Sequence, residues 1–167
     1  MARACGAKIA TTQRATRMAR RTTMREILGV VLCGGQSSRM GSDKGLLMSD
    51  GLRWAERAQK LLMSICSRAV YSIRRDQQPV YAAALPGASF AVDADRYKDI
   101  GPLGGLLSVH EQFPDMDILL LACDMIFVGP NDLQRLSNST GEIRVYRAGE
   151  IFEPLCAYYP AAALQKI

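Results

Sequence analysis

The sequence predicts an α/β protein in which a mostly parallel sheet carries helices on both faces. Three observations predict it. The runs "ILGVVLC" at 27–33 and "DILLLACDM" at 117–125 are apolar without alternation, the pattern of strands covered on both sides. Strand-like and helix-like segments alternate along the chain, which favours right-handed crossovers between parallel strands. Finally, 167 residues with 49% apolar composition make one domain with enough material to bury a core.

Each element follows in order from its own pattern. Residues 27–33 form the first strand, ended by Gly34 and Gly35. "LRWAERAQKLLMSIC" at 52–66 sets Trp54, Ala58, Leu61, Leu62 and Ile65 three and four apart, which draws one apolar helical face. "RAVYSI" at 68–73 is a second strand, and "SFAVDAD" at 89–95 a short third one that ends in carboxylates. "GPLGGLLSVHEQF" at 101–113 opens a helix with Pro102 near its start. The 117–125 run is the most apolar segment, a central strand whose last residues include Cys123 and Asp124. "PNDLQRLSN" is a short helix with Asn131 or Asp132 as its cap. "EIRVYRAGEIFEPLCAYYP" gives two strands around a turn at Ala148-Gly149.

The net charge of +5 is unevenly placed. Arg3, Lys8, Arg14, Arg17, Arg20, Arg21 and Arg25 stand in the first 25 residues with no carboxylate among them, so the remainder carries −2. A basic, disordered arm is expected over 1–24 and a near-neutral domain over 25–167, which argues against nucleic acid as a partner. No apolar stretch is long enough to span a bilayer and no secretory leader is evident, so a soluble cytoplasmic protein is expected. The five cysteines, Cys5, Cys33, Cys66, Cys123 and Cys156, include no C-x-x-C pair; they read as small apolar side chains rather than a zinc site or a disulfide framework. His110, the single histidine, reads as a helical surface or boundary residue.

Ligands of an open parallel sheet sit outside the carboxyl ends of its strands, so the segments after each apolar run carry the chemistry. "CGGQSSRMGSDK" follows the first strand. Gly34 and Gly35 let backbone N–H groups approach an anion, Ser37 and Ser38 add hydroxyls, and Arg39 and Lys44 supply charge, a loop suited to phosphates. It is neither a Walker A, because Met40 stands where the second glycine belongs, nor a G-x-G-x-x-G dinucleotide fingerprint. Glycines, cations and one carboxylate suit a site that works by positioning and charge neutralisation at phosphates rather than through a protein nucleophile. Asp124, at the end of the most buried strand, is the candidate for Mg²⁺; a turn cap within "CDMIF" is the structural alternative.

The pattern L-x-G-G-x-S-x-R-M-G-x-D-K, Leu32 through Lys44, closely resembles the signature of the nucleotidyltransferases, and in this form that of the molybdenum cofactor guanylyltransferase (MobA-type) family. "DADRYKDIGPLGGL" and "LLLACDMIFV" are similar to two further segments of that family, and the similarity runs over about residues 27–160. The resemblance implies a Rossmann-like fold, GTP and Mg²⁺ as ligands, and transfer of GMP to the phosphate of molybdopterin with release of pyrophosphate. It implies a nucleotide site of Leu32, Cys33, Gly34, Gly35, Ser37, Arg39, Lys44, Ser72, Asp95 and Asp124, with Arg39, Lys44 and Asp124 as catalytic residues and Asp124 on the metal. Asp95 matches the family's aspartate before GPL, with Asp93 as the fallback, and "GPLGG" would approach the nucleotide or acceptor with bare backbone. Ser72 stands where the family commonly has asparagine, and Ile126 where it has proline. The domain is expected to lack the family's final helix and its Asn-x-Asn-Thr-Pro-like segment, so either the chain is a fragment of a longer protein or it leaves a sheet face through which copies would self-associate into a homo-oligomer. A cytidylyltransferase, another nucleotidyltransferase with a phosphorylated acceptor, and a non-catalytic nucleotide-binding remnant stay open as alternatives.

Overall fold

The computed structural model describes residues 26–34, 43–138, 141–148 and 150–167. The expected arm at 1–24 and the greater part of the phosphate loop, including Gly35, Ser37 and Arg39, lie outside the described residues.

The chain runs β1 (Ile27–Leu32), β2 (Met48–Ser49), β3 (Leu52–Arg53), α1 (Trp54–Met63), β4 (Arg68–Ile73), α2 (Gln78–Ala84), β5 (Phe90–Val92), α3 (Pro102–Gln112), β6 (Asp117–Ala122), α4 (Pro130–Ser137), β7 (Arg144–Ala148), β8 (Ile151–Tyr159) and α5 (Ala161–Leu164). Six strands make one sheet in the order β5-β4-β1-β6-β8-β7. The first four are mutually parallel, whereas β8 runs antiparallel to both β6 and β7. The central strands are apolar throughout because both faces are covered. Val31, Leu119, Leu121, Tyr71 and Ile73 pack with Ala58 and Leu62 of α1, Tyr81 of α2 and Leu133 and Leu136 of α4. Leu28, Val30, Val70, Ile118 and Leu120 pack on the opposite face with Leu106 and Val109 of α3 and Leu164 of α5. The period of two along each strand deals its residues alternately to these two cores.

The expected elements form, but the strands expected over 89–95 and 117–125 stop at Val92 and Ala122 and the helix expected over 52–66 stops at Met63; three further differences stand out. The first expected helix begins at Trp54, because Leu52 and Arg53 pair with Ser49 and Met48 in a small hairpin. The helix at 130–137 is capped by Gly129, whose N–H donates to the Asp132 carboxylate at 2.9 Å, so Asp132 closes the turn from inside the helix. His110 is buried, not superficial; its Nδ1 meets no partner among the described residues and burial lowers its pKa.

Topology fixes where a ligand belongs. After β1 the chain winds outward through β4 and β5, then crosses back to place β6 on the other side of β1. The carboxyl ends of β1 and β6 therefore flank the switch point of the sheet.

Candidate active site

Two clusters form at the carboxyl ends of the parallel strands. The first spans β1 and β6. The Lys44 ammonium donates to the Asp124 carboxylate at 2.9 Å, across 80 residues of sequence. Both side chains are 39% exposed. The carboxylate, first and foremost through that hydrogen bond, raises the Lys44 pKa, so the ammonium stays charged throughout the physiological range. Asp124 lies two residues past the last residue of β6, where a side chain faces out of the sheet's end. Its hydrogen-bond partner among the described residues is Lys44, not a backbone N–H of "CDMIF", so its carboxylate is not a turn cap.

The second cluster gathers under β1, β4 and β5. Ser72, fully buried, donates from Oγ to Asp93 Oδ1 at 3.2 Å. Burial raises the Asp93 carboxyl pKa, against the lowering effects of the Ser72 hydroxyl and the Arg74 guanidinium. Arg74 donates to the Gly34 carbonyl at 3.1 Å and grips Asp76 with two bonds of 3.0 Å. Leu32 forms one wall of this cluster. A Cβ on Gly105 would stand 2.7 Å from both Leu32 Cδ1 and Ser72 Oγ, and one on Gly104 would collide with the Tyr97 carbonyl. The glycines of "GPLGG" at 104 and 105 thus let α3 close onto the protein itself, rather than offering bare backbone to a ligand.

The structure brings together most of the described residues the sequence pointed to: Leu32, Cys33, Gly34, Lys44, Ser72 and Asp124 all stand at the strand ends. Asp95 does not join them. Its side chain is 84% exposed in a loose 3.8 Å pair with Arg75, because it lies on the 3-10 turn after β5 and faces outward. Asp93, two residues earlier and still in line with the strand, occupies the crevice. Cys33 and Cys123 end adjacent strands with buried, neighbouring thiols, and burial above all holds the Cys33 thiol well above its usual range. Cys66 is pushed up to about 11 and Cys156 to about 12 by burial. Protonated thiols of this kind pack as apolar groups and are not nucleophiles.

The sequence reading missed Asp43, Gln77 and Tyr81. Asp43 Oδ1 accepts from the Gly45 N–H at 3.0 Å and from the Tyr81 hydroxyl at 2.7 Å, while Oδ2 accepts from the Gln77 amide. Asp43 had a signal in its place beside Lys44. Gln77 and Tyr81 come from "RRDQQPVYAAALPG", where Pro79 ahead of an Ala-rich run marks a helix start. Among the described residues no group of three or more His, Cys, Asp or Glu side chains could hold a metal by itself, and no helix is long and apolar enough to cross a membrane.

Comparison with known proteins agrees with this geometry. Residues 29–167 match the model of the MobA-like NTP transferase domain. A probable molybdenum cofactor guanylyltransferase of Natronomonas pharaonis is 34% identical over 139 residues, covering 81% of this chain and 69% of that protein. The molybdenum cofactor guanylyltransferase of Xanthomonas euvesicatoria is 39% identical over 100 residues, 60% of this chain and 47% of that protein. The crystal structure of molybdopterin-guanine dinucleotide biosynthesis protein A from Archaeoglobus fulgidus superposes with a TM-score of 0.66 at 24% identity, covering 84% of this chain and 70% of that one, and shares the fold. With its signature at the end of β1 and a family match that spans all of the sheet but its first two residues, the chain belongs to the MobA-like NTP transferases.

Proposed function

We propose that this chain transfers the GMP unit of GTP to the terminal phosphate of a molybdopterin cofactor, releasing pyrophosphate. The observation that carries the reading is the Lys44–Asp124 pair at the switch point of the sheet, with the Ser72–Asp93 hydrogen bond at the ends of the neighbouring strands, in a chain of this family. The names of the relatives from Natronomonas and Xanthomonas support the same acceptor and nucleotide.

In this reading the triphosphate lies over the end of β1. Lys44 takes a phosphate oxygen in place of Asp124, and Gly35, Ser37 and Arg39, which lie outside the described residues, add donors to the same phosphates. Asp124 would then hold Mg²⁺, an ion that commonly takes one or two carboxylates and completes its shell with phosphate oxygens and water. The exposed carboxylate fits that demand, and the ion would supply charge neutralisation at the phosphates. No side chain has to act as nucleophile: an oxygen of the acceptor phosphate attacks the α-phosphorus, the bond to the bridging oxygen breaks, and its electrons leave with pyrophosphate. Lys44 faces the charge that develops there. Asp93 is an acceptor-only group when ionised, which suits the N1–H and N2–H₂ donors of guanine better than the single N4–H₂ donor of cytosine.

Pyrophosphate release from GTP and from CTP, each with and without molybdopterin, tests the reading. Release that requires GTP and acceptor together supports it. Release with CTP alone would move the protein to cytidylyl transfer, and binding of GTP without any release would make it a nucleotide-binding protein.

A further inference from the structure

The Lys44–Asp124 pair cannot fix its own geometry. Two side chains, each 39% exposed and joined by one bond, gain little from the contact in water and remain free to part. Whatever sets Lys44 over Asp124 has to lie behind it. There the structure holds a buried polar cluster that phosphate chemistry does not use.

We propose that Gln77 and Tyr81, at the head and in the middle of the α2 segment, are positioning residues that clasp the end of β1 to the Asp43–Lys44 turn and so hold Lys44 at its working place. This rests on the guanylyl-transfer reading. The Gln77 side-chain amide donates to two acceptors that are ten residues apart in sequence, the Cys33 carbonyl at 3.1 Å and Asp43 Oδ2. One side chain thus ties the residue that leaves the sheet to the residue before Lys44. Tyr81 donates to the other Asp43 oxygen at 2.7 Å, and the Gly45 N–H to that same oxygen at 3.0 Å, so the carboxylate is gripped on both oxygens. The clasp is rigid because it is buried: Tyr81 is 0% and Gln77 6% exposed, and the Tyr81 ring meets Phe90 edge-on at 6.5 Å. Burial, more than the nearby Cys33 thiol or Asp43, raises the Tyr81 pKa, so its hydroxyl keeps its proton and stays a donor at any pH the enzyme meets. The fit is close enough that a Cβ on Gly45 would collide with the Tyr81 hydroxyl oxygen. Lys44 therefore sits between two residues, 43 and 45, that the cluster immobilises.

Tyr81→Phe and Gln77→Met remove the donors while leaving ring and chain length to fill the core. Three measurements decide the proposal: exchange of the Gly45 amide, GTP affinity by calorimetry, and kcat and KM for GTP. The expected result is exchange at Gly45 about 10-fold faster and kcat/KM about 10-fold lower in each variant, measured below a melting temperature that falls, more for Gln77→Met than for Tyr81→Phe, while both variants stay folded at the assay temperature. A purely structural role is separated by repeating both changes in a Lys44→Ala background. If Gln77 and Tyr81 act through Lys44, they cost no further GTP affinity there; an equal loss in both backgrounds overturns the proposal, as does unchanged exchange at Gly45 in both variants. Should the parent itself bind no GTP, the transfer reading falls, and the exchange of Gly45 alone decides whether the clasp exists.

Discussion

β6 carries an aspartate at each end of its apolar run, and the two live in opposite conditions. Asp117, its first residue, is 6% exposed, and its carboxylate accepts from the Tyr158 hydroxyl at 2.6 Å and from the Ala161 N–H at 2.9 Å. Those bonds pin the end of β8 and the start of α5 to the amino end of β6. Asp124, beyond the carboxyl end, is 39% exposed and is met by one flexible cation. The same side chain is a fixed joint in one place and an open hand in the other. The sheet's polarity makes the difference: crossover connections and the α5 turn cover the amino end of β6, whereas the switch point leaves the carboxyl end open to ligands.

The largest effect that would break this contrast is at Asp124. In the proposed reading Asp124→Asn lowers pyrophosphate release by about 100-fold or more, since the amide keeps the shape and loses the charge that holds a metal on the phosphates. Stability stays nearly unchanged, because the lost partner is an exposed ion pair. A melting curve and a turnover assay check both halves. A collapse in melting temperature with turnover preserved would make Asp124 a second structural joint.

Asp117→Ala should show the reverse. Removing the carboxylate takes from the Tyr158 hydroxyl and the Ala161 N–H the acceptor each now has in the interior, at a cost of about 3 kcal/mol in stability. GTP affinity of the folded protein should not move. Urea denaturation beside calorimetry separates the two, and a variant with parental stability but weakened GTP binding would show that the two ends of β6 are coupled.

The same contrast explains what the sequence disclosed. The strands β1, β4 and β6 are legible because burial on both faces leaves a continuous apolar run, and Lys44 and Asp124 stand out as candidates because Asp124 comes just after the β6 run and Lys44 closes the glycine-led loop that follows β1. The helix α2 is not, since its seven residues bury chiefly Tyr81 and draw no apolar stripe. With α2 unseen, Gln77 and Tyr81 have no place to act from. Motif spacing favours Asp95 over Asp93, whereas the direction each carboxylate faces depends on where β5 stops and the 3-10 turn begins, a matter of one or two residues that no periodicity resolves.

Asp93 lies between the two extremes and gives the smallest and most discriminating test. It is part-buried like a joint, yet at the open end of the sheet like a ligand group. Its pKa is raised, first by burial, so the folded protein takes up this proton more readily than the unfolded chain does. The sign of the linkage follows: stability falls as pH rises through the folded value of Asp93, and the ionised carboxylate present near neutrality is a net cost to the fold. Asp93→Asn should therefore raise the melting temperature slightly near neutral pH and flatten the stability profile just above the usual carboxylate range. If Asp93 receives the guanine edge, the same change should weaken GTP binding by about 10-fold, because an amide that presents N–H groups to N–H groups loses a charge-assisted bond. Gain in stability with loss in affinity is the signature of a carboxylate kept for a ligand. A variant that loses stability near neutrality would show instead that Arg74 holds Asp93 as a structural ion, and would move it to the side of Asp117.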